Sequence, residues 1–348
     1  MRFLFLVLTL SALAEGNSSE QSQVKLKTAI VADVELVQIP VIVFNDKGMV
    51  ATDLQKDDFR LVEDGIEQRL LYCDKERESV SLVILGDVSQ SMTRKIQFVQ
   101  EATESILEAL PPDSRYQDEY SVFGIENQAV QLVPFTKDQQ SIVRRLSALL
   151  ASTNGATALF DGIYAGALAA DREAENSRRA VIIISDGGDN HSRHNLRQTK
   201  RFLEEVGLPV FAVMAGHEFE ELPPPETPPR LRGIPIPIPM PDVDFVGPAE
   251  RRGPQDLRTL TEVTGGGVFT AHDPEGLDRI VRTISLAVRY QYVLSYQTLG
   301  TEQIKTQNNW HGIRLELIPS GKFKGYSIYY KRGYYRNSRE LTSRGNLK

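Results

Sequence analysis

The chain has 348 residues, 41% hydrophobic and 25% charged, with 40 Lys and Arg against 46 Asp and Glu for a net charge of −6. These values exclude a wholly disordered chain, a collagen-like repeat and a protein of many membrane spans, and they supply no global positive field for nucleic acid. The one cysteine, Cys73, excludes an internal disulfide framework and a multi-cysteine zinc cluster, so a buried core must hold the fold.

Arg2 precedes an apolar run from Phe3 to Ala14, and Ala12-Leu13-Ala14 sets small residues just before Glu15. This is the layout of a secretory signal over residues 1–14. The run is short for a membrane span, which needs ~20 residues. The expectation is export, to the periplasm or outside the cell, with no membrane span after signal cleavage. An uncleaved anchor or a buried strand is the competing reading.

Residues 24–77 read as a β segment. Val31-Asp33-Glu35-Val37 adjoins the apolar run Ile39 to Phe44, and Asn45-Asp46-Lys47-Gly48 supplies a turn. Phe59 to Val62 and Leu70 to Tyr72 flank Glu63-Asp64-Gly65, a strong hairpin signal that predicts those two runs as partners.

Residues 78–288 alternate strand and helix. Val80 to Leu85 and Ala180 to Ser185 are continuous apolar runs, as expected of strands buried on both faces. Tyr120 to Phe123 and Ala129 to Val133 are close enough for a hairpin, and Val210 to Met214 is a further strand. Helical spacing appears near residues 96–110, 139–150, 159–171, 196–206, 256–263 and 277–287. The alternation predicts an α/β fold with a doubly wound, mostly parallel sheet. Within it, 223–248 holds ten of the 18 prolines and reads as an extended surface insertion, a spacer before a groove ligand. Structure is expected to resume at Asp256. Gly265-Gly266-Gly267 lacks the spacing of a phosphate cradle and reads as a helix cap.

Residues 289–337 return to alternating aromatic and polar residues, as in Tyr290 to Tyr296, Gly312 to Leu317 and Tyr326 to Tyr330. Neither flank has enough strands for an independent sandwich. The prediction is one β-sandwich-like domain built from 24–77 and 289–337, with the α/β domain inserted between its halves and its ligand face turned away.

Chemistry concentrates at the carboxyl end of the first central strand, in Asp87-Val88-Ser89-Gln90-Ser91. Ligands of parallel α/β sheets bind outside those ends. The loop offers one carboxylate and two hydroxyls, and hard oxygens suit Mg²⁺ or Mn²⁺. Thr157, in Gly155-Ala156-Thr157, and Asp186, in Ser185-Asp186-Gly187, are two further oxygen donors.

Together these three elements resemble the von Willebrand factor A (vWA) domain, over roughly residues 78–288. Asp87, Ser89, Ser91, Thr157 and Asp186 match the five positions of its metal ion-dependent adhesion site. The resemblance implies that Ser89, Ser91 and Thr157 reach the metal by their hydroxyls and that Asp87 and Asp186 act largely through coordinated water. It also implies a protein partner whose carboxylate completes the shell. The family often has Gly where this chain has Gln90. The flanks, with Asp57-Asp58-Phe59, Tyr290 to Tyr296 and Arg332-Gly333-Tyr334-Tyr335, are similar to secreted bacterial "VWFA-related" proteins of the acidobacterial type.

Other candidates are weaker. His191 and His194 follow Asp189 and read as a solvated loop before an auxiliary metal site; Cys73 reads as a buried small hydrophobe. There is no nucleophile elbow, no Walker loop and no second carboxylate of a phosphatase Asp-x-Asp. The expectation is therefore a binding module and no enzyme. The alternatives are a Mg²⁺-dependent hydrolase using the same oxygens, and a scaffold with incidental metal.

Overall fold

A computed structural model describes residues 34–149, 155–216, 248–299 and 310–335. The expected signal segment at residues 1–14, residues 24–33 and the proline-rich stretch up to Gly247 lie outside the described residues. Among the described residues no helix is long and apolar enough to cross a membrane.

The chain begins with β1 (Val34–Phe44), β2 (Phe59–Glu63), β3 (Ile66–Gln68) and β4 (Leu70–Arg77). Asp64 and Gly65 both have positive φ, at 49° and 85°, and turn β2 into β3. The predicted partner of β2 is thereby corrected: Leu70 to Tyr72 belongs to β4, in a different sheet. Turn chemistry fixes the hairpin locally, but β3 buries none of its three residues, whereas Leu70 is buried in the core. The chain therefore changes sheet directly after β3.

Six strands follow: β5 (Val80–Asp87), β6 (Glu119–Ile125), β7 (Ala129–Thr136), β8 (Arg178–Ile184), β9 (Val210–Ala215) and β10 (Val268–Ala271). They form one sheet in the order β10-β9-β8-β5-β6-β7, parallel except for the edge strand β7. Six helices flank it: α1 (Ile96–Ala109), α2 (Gln139–Leu149), α3 (Leu159–Arg172), α4 (Leu196–Val206), α5 (Pro248–Thr264) and α6 (Pro274–Arg289). Strand pleating sends Leu82 and Ile84 to the face covered by α1 and α6, and Val83 and Leu85 to the face covered by α3, α4 and α5. All four are fully buried, each contributing about 2 kcal/mol of hydrophobic stabilisation. The fold class is the doubly wound sheet expected from the sequence. Helix α5 starts eight residues before Asp256, at Pro248, and runs through Pro254. Proline suits the first position of a helix, where no amide is needed.

Among the described residues four strands follow: β11 (Tyr290–Leu299), β12 (Trp310–Leu317), β13 (Ser327–Tyr330) and β14 (Gly333–Tyr335). They interleave with the first four in two antiparallel sheets, ordered β13-β1-β11-β4 and β14-β12-β2-β3. One core lies between these sheets, with Ile39 and Val41 of β1, Leu61 of β2, Leu294 and Tyr296 of β11 and Leu315 of β12. The β-sandwich thus joins strands from both ends of the described chain.

The sandwich sits at the amino ends of the parallel strands. Chain connection requires this, since β4 runs into β5 and α6 into β11. Ile42 and Phe44, on the outer face of β1, enter the core under α6, and Phe44 packs edge-on against Tyr329 and Phe269. A buried arginine reinforces the contact: Arg178 of β8 donates to Glu76 of β4 at 2.7 Å. Within the α/β unit Arg289 bonds Asp118 while its guanidinium lies over Tyr116. The glycine triplet closes α5 here, against the backbone of Val210 and the ring of Tyr329. The opposite end of the sheet is left open.

Candidate metal site

At that open end β5 and β8 run side by side, pairing Gly86 with Ile184, and their connections diverge to opposite sides. A crevice at such a switch point is where α/β sheets hold ligands. Asp87 ends β5 and Asp186 follows β8 by two residues, so the sheet itself brings the two carboxylates to one place.

Asp87 is fully buried. Its Oδ1 accepts the Ser89 amide at 3.0 Å and its Oδ2 accepts the Ser185 hydroxyl at 2.5 Å. Burial, and then the charge of Asp186, push the Asp87 carboxyl up to about 6, against the downward pull of those hydrogen bonds. Among the described residues neither carboxylate has a basic partner. Ser89 is buried as well, and its hydroxyl lies 3.2 Å from that of Ser91. Asp186 takes the Gly188 amide at 3.1 Å. Gly187, at φ 91°, lies against the backbone of Gly253 in α5, where a Cβ would approach the Gly253 carbonyl carbon to 2.7 Å. Only glycine fits that crossing.

Thr157 belongs to the stretch 155–158 that leads into α3, bonded to the segments at the strand ends. Gln90 donates its amide to the Gly155 carbonyl at 3.0 Å, and Ala158 donates to Glu126 at 2.8 Å. From the other side, Asn190 accepts the Thr157 amide at 2.8 Å, and the amides of Asn190 and His191 both donate to the Thr157 carbonyl. The backbone of Thr157 is thus fixed on both sides, while its 3%-exposed side chain makes no hydrogen bond with a described residue. Asp87 closes β5, Ser91 lies in the short helical turn that follows, and Ser89, Thr157 and Asp186 lie in loops; hydrogen bonds tie these segments together.

The donor set fits a hard divalent cation. Two carboxylates and the Ser89 and Ser91 hydroxyls gather at the strand ends, with a like-charge repulsion that a cation would relieve. Among the described residues no three His, Cys, Asp or Glu gather as a metal cluster, so hydroxyls must supply part of any shell here.

Sequence reasoning missed the frame around these residues. Ser185 reads there only as a strand end, yet it braces Asp87 and accepts the Gly187 amide at 2.9 Å. Residues 189–194 form a zipper along α3: Asp189 accepts from Phe160 and Ser192, and Asp161 accepts from the amides of Arg193 and His194. The His194 ring bonds Asp161 at 2.6 Å and stacks on Tyr164 at 4.2 Å. Burial works against the Asp161 carboxylate, but those hydrogen bonds hold it below its usual range. The one available signal was the polar run Asp189-Asn190-His191-Ser192. Cys73 is half-buried on β4 beside the sandwich core, and burial raises its thiol to about 11.

Replacing Ser185 with alanine removes the hydroxyl that favours ionised Asp87. We expect Mg²⁺ affinity to fall about tenfold, as for other residues that orient metal ligands. Calorimetry beside an unchanged circular dichroism spectrum checks this.

Residues 82–188 match the family model described as von Willebrand factor type A domain. No curated protein matches the chain. Similar solved structures include BatB, a conserved hypothetical protein from Bacteroides thetaiotaomicron, at 18% identity and a TM-score of 0.42, over 60% of this chain and 98% of that one. A von Willebrand factor type A protein from Catenulispora acidiphila is 13% identical with a TM-score of 0.43, over 88% of this chain and 74% of that one. Proximal thread matrix protein 1 from the mussel byssus, with a zinc-occupied MIDAS motif, is 14% identical with a TM-score of 0.40; the match covers 65% of this chain and half of that one. The family match lies within the α/β unit, from β5 to the loop after β8.

Proposed function

We propose that the protein is an exported, non-catalytic binding module that engages a carboxylate on a protein partner through Mg²⁺ or Mn²⁺ held at Asp87, Ser89, Ser91, Thr157 and Asp186. The observation that carries this reading is the unpaired, mutually repelling pair Asp87 and Asp186 gathered with the Ser89 and Ser91 hydroxyls at the switch point. A bound divalent ion would supply positive charge there for an incoming acidic group. Because the protein contributes only two carboxylates, net charge at the loaded site would not repel a third. Ser185 and the Ser89 amide orient Asp87, and the Asn190 clamp fixes the Thr157 backbone, so the oxygens are positioned in advance.

Asp186→Ala tests this. The half-exposed loop residue fills no core, so the variant should fold as wild type. Mg²⁺ binding should drop below detection in calorimetry. Partner capture from an extracellular or periplasmic fraction should fall to the level seen with EDTA. Unchanged metal binding in the variant refutes the assignment.

A further inference from the structure

Beside the metal loops lies an open groove of about 1040 Å³. It runs from Val88, next to Asp87, past the β6–β7 turn to the edge strand β7 and Arg145 of α2. Its other wall is the 189–194 zipper, whose residues alternate in direction. Ser192 and His194 turn inward to Asp189 and Asp161, while His191 and Arg193 are exposed and line the groove. The zipper's backbone bonds to Thr157 and Asp161 hold these side chains on a fixed support.

Two guanidinium groups therefore border one groove without ionic partners: neither Arg193 nor Arg145 forms an ion pair with a described residue. Arg145 is anchored through Nη1 to the Leu132 carbonyl at 3.0 Å, which leaves its remaining donors available. The groove's own carboxylates do not answer them. Asp161 is engaged by the Arg193 and His194 amides and the His194 ring, and Glu126 packs over Gly155 on the β6–β7 turn. Arginine is suited to bidentate recognition of carboxylates.

We infer that this groove is an anion subsite for a second carboxylate of the same partner, so that the partner is an extended acidic segment reading out two carboxylates, one on the metal and one between Arg145 and Arg193. This rests on the metal-site reading above. Two linked contacts make the second one effectively intramolecular, which multiplies affinity when the spacing fits.

The test uses the whole protein and fluorescein-labelled Gly/Ser peptides carrying either one aspartate or two aspartates two to five residues apart. In saturating Mg²⁺ the best two-aspartate peptide should bind at least tenfold more tightly than the one-aspartate peptide in fluorescence polarisation. The double variant Arg145→Ala with Arg193→Ala should reduce that advantage to less than twofold, with Mg²⁺ binding alone unchanged in calorimetry. No advantage for the second aspartate, or an advantage that survives the double variant, overturns the subsite. The Mg²⁺ titration without peptide reports separately on the metal site. An arginine-dependent preference that persists in EDTA would uphold the groove and refute the metal reading.

Discussion

Asp87→Asn is expected to stabilise the metal-free protein at pH 7 while removing its metal binding. The ionised form of Asp87 is disfavoured in the fold by burial and by Asp186, which raise its carboxyl from 3.8 to about 6. A carboxyl with a raised folded-state value binds its proton more tightly folded than unfolded. Its contribution is therefore fully present below pH 3.8 and is lost as pH rises through about 6, by about 3 kcal/mol. That is a large part of the 5–15 kcal/mol typical of a domain. Asparagine keeps the shape and an acceptor for the Ser89 amide, and it carries no charge to bury. Urea unfolding in EDTA should show wild-type stability falling between pH 4 and 7, with the variant flat over that range and up to about 3 kcal/mol more stable at pH 7. Adding Mg²⁺ should restore stability to the wild type alone, by mass action on the folded state. A wild-type profile that does not fall in this window would show that Asp87 is not held unpaired in the metal-free fold.

Ending the chain after Arg289 is expected to abolish the sandwich altogether. β11 is the strand between β1 and β4, and β12 is the strand between β14 and β2. Without them β1 and β4 have no partner, and β2 with β3 is an isolated hairpin, which is marginal in water. The core residues Tyr292, Leu294, Tyr296, Ile313, Leu315 and Leu317 also disappear. The loss reaches the α/β unit, because Tyr329 and the now unsupported Phe44 cover its core beside Phe269. Limited proteolysis with mass spectrometry should find rapid cleavage throughout 34–77 in the shortened protein and protection there in the intact one. Continued protection of 34–77 would mean that this segment folds alone.

The parts legible in the sequence were those with a strong local cause. Val80 to Leu85 and Ala180 to Ile184 are apolar on both faces, so burial between helices was readable from composition alone. The places of Asp87, Ser89, Ser91 and Asp186 at the strand ends follow directly from where those runs stop. The sheet assignment of Leu70 was not readable. Asp64-Gly65 dictates a reversal, but which sheet the chain then joins depends on β11, which is more than 200 residues away in the sequence. The early start of α5 was hidden because Gly253 and Pro254 look like breakers. Gly253 is required by a close backbone contact with Gly187 that no local pattern encodes. The Thr157 clamp likewise relies on Asn190 and Asp189 bonding amides about 30 residues earlier, and such side-chain-to-backbone bonds leave no periodicity.

The interleaved sandwich sets an order of events in folding. The α/β unit draws its strand pairs from within one continuous stretch, whereas Asp64 must wait for Gly312, 248 residues later, to receive its amide bond. Contacts that distant are slow to form, because a long loop must close before they reward it. While the chain emerges, the strand Val34–Phe44 carries six buried apolar residues with nothing to pair against. An unpaired apolar strand is a template for self-association. The yield of such a topology on refolding should fall steeply with protein concentration.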